Sequence, residues 1–151
     1  MNAPLDGLGR LEAIWIKRGK LAPMDRVDRA EVVAGRGLVG NANQGGKRQI
    51  TLLSADSWSE AVEELGRDLD PASRRANLLI RGLELIGCRH RVLCIGEIRI
   101  RIHGETRPCD LMDRQAPGLQ AALASDWRGG VYGEALASGL IEVGAEVRWA
   151  G

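Results

Sequence analysis

The sequence contains no phenylalanine, one tyrosine and four tryptophans among its 151 residues. Hydrophobic residues still make up 44% of the chain, so aliphatic side chains must fill the core. Scarce aromatic residues argue against a protein that binds single-stranded nucleic acid, because such proteins stack bases on aromatic rings. The formal net charge of +1, from 21 basic and 20 acidic residues, argues against nonspecific nucleic-acid binding. The sequence therefore predicts no nucleic-acid partner.

Long apolar runs and paired cysteines are also missing. No stretch of the chain approaches the length of a membrane span, and residues 1–7 lack the basic and apolar regions of a secretory signal. Cys88, Cys94 and Cys109 are an odd number of cysteines, without the spacing of a zinc site. Free thiols fit a reducing compartment, so we expect a cytoplasmic protein with no membrane partner.

Lysine occurs only at positions 17, 20 and 47, so arginine supplies nearly all of the positive charge. Arginine suits planar, bidentate recognition of anions, although a GC-rich genome would produce the same bias. Glycine, by contrast, is abundant: 20 residues are glycine, against an average of roughly 7% of a chain. Glycines without a short repeat indicate tight turns between short strands, or backbone that approaches a ligand closely.

The clearest strand signal lies in residues 91–103, where three isoleucines alternate with two arginines and a histidine. This period of two is typical of a half-buried antiparallel strand. Ser57 and Glu60 form a capping-box pattern, and apolar residues follow at helical spacing. The pattern predicts an amphipathic helix over residues 55–65 that ends at Gly66.

Residues 35–47 are rich in glycine and predict a loop, and residues 117–124 predict a second short helix. No linker or repeat divides the chain. We therefore predict a short lead-in over residues 1–10 and one domain over residues 11–151. Its fold class is mainly β with short helices (α+β), built as a β-barrel.

The segment Arg107-Pro108-Cys109 follows the predicted strand and is the sharpest candidate for chemistry. Proline fixes the backbone ahead of the thiol, and a nearby arginine would favour the thiolate, which is the form that reacts or binds metal. The alternative is a structural cysteine beside a turn. His103 could act as a base for Cys109, but a histidine on the polar face of a strand is more often simply exposed.

Five further residues lie where predicted loops meet strands and could form an anion site. They are Arg36, Arg48, Arg75, Asn77 and Arg107. Guanidinium groups together with free backbone N–H groups of glycine-rich loops can bind a phosphate. For any single arginine, solvated surface charge is the simpler interpretation. The anion site requires these residues to converge in space.

Several segments in a fixed order together resemble the MOSC family, named for the C-terminal domain of molybdenum cofactor sulfurases. They are residues 35–40, 48–54, 74–83, 95–104, 107–109, 117–119, 128–132 and 139–144. The resemblance spans most of the chain from about Leu11 onward. The sequence departs from the family pattern at Asn41, where an acidic residue is frequent, and at His103, where a small or β-branched residue is usual.

This resemblance implies a strongly bent β-barrel that binds molybdenum cofactor (molybdopterin), with Cys109 as metal ligand and catalytic residue. It implies that Arg36, Arg48, Arg75, Asn77 and Arg107 surround the cofactor. Some members reduce small N-hydroxylated substrates such as amidoximes, hydroxamic acids and N-hydroxylated bases. The chain has no flavin or Fe–S motif, so such an activity would require an external redox partner.

Two other functions stay open at this point. Other family members are described as sulfur carriers, and Cys109 would then hold a persulfide. A non-catalytic barrel that binds an anionic metabolite is the third hypothesis. Pyridoxal phosphate is associated with the family through fused sulfurases, but no lysine here is marked as its Schiff-base residue, so we do not expect it. The sequence specifies neither the substrate nor the oligomeric state.

Overall fold

The structure is a computed structural model that describes residues 8–150. Its strands are β1 (Gly9–Lys17), β2 (Met24–Val27), β3 (Arg29–Val33), β4 (Gly37–Leu38), β5 (Ile50–Ser54), β6 (Leu78–Arg81), β7 (Val92–Ile95), β8 (Ile98–Glu105), β9 (Val131–Ala135), β10 (Gly139–Glu142) and β11 (Glu146–Trp149). The helices are α1 (Ala55–Leu65), α2 (Leu111–Gln115) and α3 (Leu119–Leu123), and Pro71–Arg74 form one 3₁₀ turn. The mainly β fold with short helices is confirmed.

Seven of the described strands close into a barrel in the order β1, β11, β7, β8, β9, β5, β6 and back to β1. All neighbouring strands of this ring are antiparallel except β5 and β6, which are parallel. A parallel pair needs a crossover, and α1 provides it between these two strands. Strand β2 extends the sheet beside β1, and β10, β3 and β4 form a separate three-stranded sheet.

The core is aliphatic, as the lack of phenylalanine predicts. One cluster fills the barrel and contains side chains such as Leu52, Ile80 and Ile100, each fully buried. A second cluster lies outside the barrel, where α1, α2 and α3 cover residues including Trp15 and Leu79. Burial of each large aliphatic side chain stabilises the fold by about 1.5 to 3 kcal/mol.

Helix α1 covers the predicted range, and Gly66 ends it with φ 67°, in the left-handed region that favours glycine. The predicted N-cap was wrong. Ser54, not Ser57, caps the helix, and its side-chain oxygen accepts a hydrogen bond from the Ser57 N–H at 3.1 Å. The helix therefore begins directly after β5, and its N-cap lies three residues before the serine of the predicted capping box.

The predicted strand over residues 91–103 is two strands. β7 and β8 form a hairpin whose turn lies at Gly96 and Glu97, between paired Ile95 and Ile98. Gly96 has φ 58°, a conformation that a tight hairpin turn requires and that glycine adopts without strain. The alternation in β8 is nevertheless correct, because its isoleucines face the barrel interior.

Three other boundaries differ from prediction. The predicted loop over residues 35–47 contains the short strand β4, which pairs with β3. The helix predicted over residues 117–124 spans only Leu119–Leu123, and α2 before it was not predicted. Strand β1 begins at Gly9, inside the predicted lead-in, because Gly9 pairs with Val147 of β11. Residues 1–7 of that lead-in lie outside the described residues. Among residues 8–150, no helix is both long enough and apolar enough to span a bilayer.

Candidate functional site

Cys109 lies in the loop between β8 and α2, and its side chain is exposed. Thr106 fixes the start of this loop to the segment before β9. Its N–H donates to the Gly130 carbonyl at 2.9 Å, and its hydroxyl donates to the Gly129 carbonyl at 2.7 Å. At the other end, the Met112 N–H donates to the Cys109 carbonyl at 2.9 Å. The fold thus presents the thiol to solvent from a loop that is held at both ends.

Arg74 is a second brace of the same loop. Its Nε donates to the Gly129 carbonyl at 2.8 Å, and its Nη2 donates to the Thr106 carbonyl at 3.0 Å. Burial lowers the pKa of the Arg74 guanidinium, the charge of Cys109 opposes this shift, and the nearby Arg48 adds to it. Arg74 is therefore a half-buried positive charge whose electrostatic neighbours include Cys109 and Arg48. Arg74 belongs to the segment 74–83 that resembles the family, but the sequence predicted only its neighbour Arg75 as a site residue.

The two glycines of the Arg128-Gly129-Gly130 segment allow these close contacts. A Cβ at Gly129 would lie 2.5 Å from the Thr106 carbonyl oxygen, and one at Gly130 would lie 2.3 Å from the Leu52 carbonyl oxygen. Gly130 also has φ 99°. Only glycine allows the two backbones to approach so closely. The same segment is anchored to α1 by the ion pair between Arg128 and Glu64 at 2.7 Å.

Four positive side chains influence one another near the end of β1 and the end of the 3₁₀ turn. Burial lowers the pKa of the Lys17 ammonium group most, and the charges of Arg75, Arg48 and Lys20 lower it further, in that order. We call Lys17, Lys20, Arg48 and Arg75 the cation site. Among the residues that the structure describes, no carboxylate offsets these influences on Lys17, so an anion here would gain attraction to all four groups. The charges of Arg48 and Arg75 thus both act on Lys17, while their contact with a cofactor stays a prediction; the two lysines were not predicted.

Arg75 and Arg48 are held by different means. Arg75 ends the 3₁₀ turn with φ 64°, uncommon for a residue with a side chain, and its Nη2 donates to the Ala22 carbonyl at 2.8 Å. Arg48 precedes β5, and its guanidinium carbon lies 5.4 Å from the ring centre of Tyr132. Both side chains keep further N–H groups available to a ligand.

Asn77 is buried beneath the cation site, and both ends of its amide are hydrogen-bonded. Its Nδ2 donates to the Trp15 carbonyl and to Asn41 Oδ1, both at 3.0 Å, while its Oδ1 accepts from the Thr51 N–H at 3.0 Å. Asn41 Oδ1 also accepts from the Lys17 N–H at 2.9 Å. The departure from the family pattern at Asn41 thus has a structural role, and Asn77 positions the site from below. A direct contact between Asn77 and a cofactor stays a prediction.

Two predicted residues lie apart from this convergence. Arg36 is exposed in the turn between β3 and β4. Arg107 is two residues from Cys109, but its side chain is 87% exposed and its nearest carboxylate oxygen, on Glu105, is 4.0 Å from Nε. Neither residue is among the charges that shift the pKa of Lys17 or Arg74.

His103 is half-buried rather than exposed. Its Nε2 lies 2.8 Å from Glu134 Oε1, and it occupies an irregularity in the pairing of β8 with β9. Within residues 8–150 its hydrogen-bond partner is therefore Glu134 and not Cys109, so the structure does not form the Cys–His pair that the sequence left open. Cys88 and Cys94 are buried, and burial raises the pKa of the Cys88 thiol to about 11.

A separate cleft of about 410 Å³ opens at the start of the 3₁₀ turn. Its lining residues are Glu12, Ala13, Trp15, Arg26, Asp68, Leu69, Asp70, Pro71 and Leu79. Three carboxylates against one guanidinium give this cleft a negative lining, so it does not suit an anionic ligand. The cation site, by contrast, offers positive charge to an anionic ligand.

Comparison with known families confirms the resemblance. The family model described as MOSC domain matches residues 39–148. The chain belongs to the MOSC domain family. The matched range contains Cys109, Arg48 and Arg75, while Lys17 and Lys20 of the cation site precede it.

Solved structures agree with the fold at low sequence identity. YuaD from Bacillus subtilis is 17% identical, with a TM-score of 0.79 over 93% of this chain and 94% of that one. YiiM from Geobacillus stearothermophilus is 18% identical, with a TM-score of 0.74 over 95% and 75% of the two chains. YiiM from Escherichia coli is 17% identical, with a TM-score of 0.69 over 94% and 70%. No curated protein sequence matches the chain.

Proposed function

We propose that this MOSC domain protein binds molybdenum cofactor with Cys109 as the metal ligand and reduces small N-hydroxylated substrates. The main support is an exposed thiol on the loop that Arg74 braces, together with Arg48, whose charge acts on both Arg74 and Lys17. A phosphate-bearing cofactor requires this combination of a soft donor and a cationic anchor.

The donor set fits such a group. In the part of the chain that the structure describes, no three His, Cys, Asp or Glu side chains converge as a metal site. A metal at Cys109 would therefore take one thiolate from the protein and its other ligands from an organic cofactor. Arg48, Arg75 and Lys17 would hold the phosphate of that cofactor, and when bound, the cofactor supplies the two-electron redox chemistry.

The residues of the chain have three tasks in this function. The cation site binds and orients the phosphate end. Arg74, which donates hydrogen bonds to the Thr106 and Gly129 carbonyls, keeps the Cys109 loop in place and puts a half-buried positive charge near the thiol. The exposure of Cys109 leaves access for a small substrate. Overall, the substrate takes up two electrons and two protons, its N–O bond breaks, and water leaves while an N–H bond forms.

Reduction of benzamidoxime with a reduced viologen as donor tests this function. The protein should be purified from cells that make molybdenum cofactor and from matched cells that do not. We expect turnover only in the first preparation and its loss in Cys109→Ser, while the double variant Cys88→Ala/Cys94→Ala keeps it. Equal turnover in both preparations would refute the role of the cofactor.

Sulfur transfer is the second candidate, because an exposed thiol on a braced loop is also what a persulfide carrier needs. Cyanide releases thiocyanate from a persulfide, and the amount can be measured on the same preparations. Release of thiocyanate that depends on Cys109, in protein without molybdenum, would indicate a sulfur carrier instead of a reductase.

An anion bound equally by wild type and Cys109→Ala, with neither molybdenum nor persulfide, would indicate a non-catalytic binding barrel.

A further inference from the structure

The outer surface of β11, β7 and β8 bears a group of arginines. Cys94 of β7 pairs with Arg148 of β11 on one side and with Arg99 of β8 on the other. Residues directly opposite each other in a sheet point to the same face. The neighbours of Cys94 in β7 belong to the barrel core, so this row faces outward, and both arginines are exposed.

Two more arginines continue this surface. Arg101 lies two residues beyond Arg99 and therefore on the same face of β8, where its Nη1 donates to the His90 carbonyl at 3.1 Å. Arg89 donates from Nη1 to the His103 carbonyl at 3.0 Å, and its guanidinium carbon lies 5.5 Å from the Trp127 ring centre. We call Arg89, Arg99, Arg101 and Arg148 the arginine face.

Within the described part of the chain, the four arginines of this face are not engaged in ion pairs. Among residues 8–150, none of these four guanidinium groups has a carboxylate within 4.0 Å. Glu134 is paired in register with Arg101, yet its carboxylate is hydrogen-bonded to His103. Since the whole chain has a net charge of only +1, the face is a local concentration of charge. Like charges on adjacent strands repel each other, and an acidic partner would relieve that repulsion.

The face leads to the candidate site. Strand β8 continues from Arg101 to Glu105 over about 14 Å, at about 3.4 Å per residue, and the Cys109 loop follows. Trp127, beneath Arg89, directly precedes the Arg128-Gly129-Gly130 segment that braces this loop. A partner seated on the arginine face would therefore occupy the strand that runs towards the Cys109 loop.

We propose that the arginine face is the docking surface for a small acidic redox protein that donates electrons. This inference rests on the proposed reductase function, which needs two electrons for each N–O bond cleaved. A one-electron donor would supply them in two encounters and leave oxidised each time, while water supplies the two protons. Nucleic acid is the less favoured partner, because the chain has few aromatic residues and little net charge.

The test is the affinity of the purified protein for an acidic [2Fe–2S] ferredoxin and for an acidic flavodoxin, measured by biolayer interferometry. We expect binding that weakens as salt rises from about 50 to about 300 mM. The double variant Arg99→Glu/Arg101→Glu should weaken it at least about tenfold, and Arg99→Gln/Arg101→Gln should have an intermediate effect. The matched control Arg29→Glu/Arg67→Glu makes the same change in net charge at exposed positions outside the face.

Three results would overturn the inference: no binding of either protein at low salt, an equal loss in the control variant, or binding of a short RNA through the same arginines with no binding of the acidic proteins. The affinity can be measured without bound molybdenum. The docking surface can therefore be confirmed or refuted independently of the reductase activity. If the face acts in electron delivery, turnover with the acidic protein should fall in Arg99→Glu/Arg101→Glu while turnover with reduced viologen stays unchanged.

Discussion

The side-chain amide of Asn77 donates a hydrogen bond to Asn41 Oδ1 at 3.0 Å, and this bond joins the two loops that flank the cation site. The same Asn41 oxygen accepts from the Lys17 N–H, so one buried contact fixes the end of β1, the loop after β4 and the start of β6. The cation site is thus organised by neutral amides that are themselves shielded from solvent.

Asn77→Ala should destabilise the fold strongly. The substitution leaves the Trp15 carbonyl and the Thr51 N–H without their partners, and each such buried group costs about 1 to 3 kcal/mol. Urea unfolding followed by circular dichroism measures the change in free energy. Asn43→Ala, in the same glycine-rich segment as Asn41, is the matched control. A loss for Asn77→Ala no larger than that of the control would show that this network does not stabilise the site.

The three cysteines should differ sharply in reactivity. Cys109 is exposed, whereas Cys88 and Cys94 are each 1% exposed, and burial holds the pKa of the Cys88 thiol at about 11. We expect iodoacetamide to label Cys109 first in the folded protein near neutral pH and the other two only after unfolding. Peptide mass spectrometry at successive times identifies the labelled site. Labelling of Cys109 after Cys88 or Cys94 would contradict the structure.

Gly130→Ala tests the backbone approach that braces the Cys109 loop. The new Cβ would meet the Leu52 carbonyl oxygen at 2.3 Å and require φ near 99°, so we expect a loss of at least about 3 kcal/mol. Gly45→Ala is the control, since Gly45 also has positive φ but its Cβ would meet no atom within 4 Å. There the loss should be only about 1 to 2 kcal/mol. Equal losses in the two variants would mean that the close approach is not as described.

Lys17 should respond to anions and to pH in a defined direction. Because its pKa is lowered in the folded protein, its positive charge disfavours folding at neutral pH, and this penalty fades as pH rises through the folded pKa. Lys17→Met should therefore raise the melting temperature in buffer without phosphate. This increase in melting temperature should become smaller as the pH becomes alkaline. Added phosphate should raise the melting temperature of the wild type and have little effect on this variant.

Lys47→Met, at an exposed lysine in the glycine-rich segment, is the control for that experiment. It should leave the response to phosphate intact. A wild-type protein whose melting temperature is unchanged by phosphate would argue against an anion site at Lys17.

Much of the fold was predictable from local patterns. The period of two in β8 and the helical spacing in α1 follow from which side chains are buried, and the structure confirms both. The β7–β8 turn was not predicted, because a single glycine at position 96 does not change the order of apolar and polar residues in the surrounding strands. Short elements such as β4 and α2 were missed for another reason. They have only 2 and 5 residues, and contacts with distant segments define them rather than their own sequence.

The candidate site, like the fold, was only partly predictable from local sequence patterns. Cys109, Arg48 and Arg75 could be chosen because they stand beside proline, glycine or amide residues in recognisable segments. Arg74 and Lys17 could not be distinguished from surface charge by sequence. Only the tertiary structure shows that Arg74 braces the Cys109 loop and that three other cations act on Lys17. The engagement of His103 with Glu134 likewise depends on the pairing of β8 with β9, which no local pattern specifies.

The most direct test of the proposed function is the molybdenum content of protein purified from cells that make the cofactor, measured by plasma mass spectrometry. We predict close to one molybdenum per chain in the wild type and in Cys88→Ala/Cys94→Ala, and its loss in Cys109→Ser. Circular dichroism would show that all three proteins are folded. Wild-type protein without molybdenum, or Cys109→Ser with an undiminished content, would contradict the assignment of Cys109 as a metal ligand.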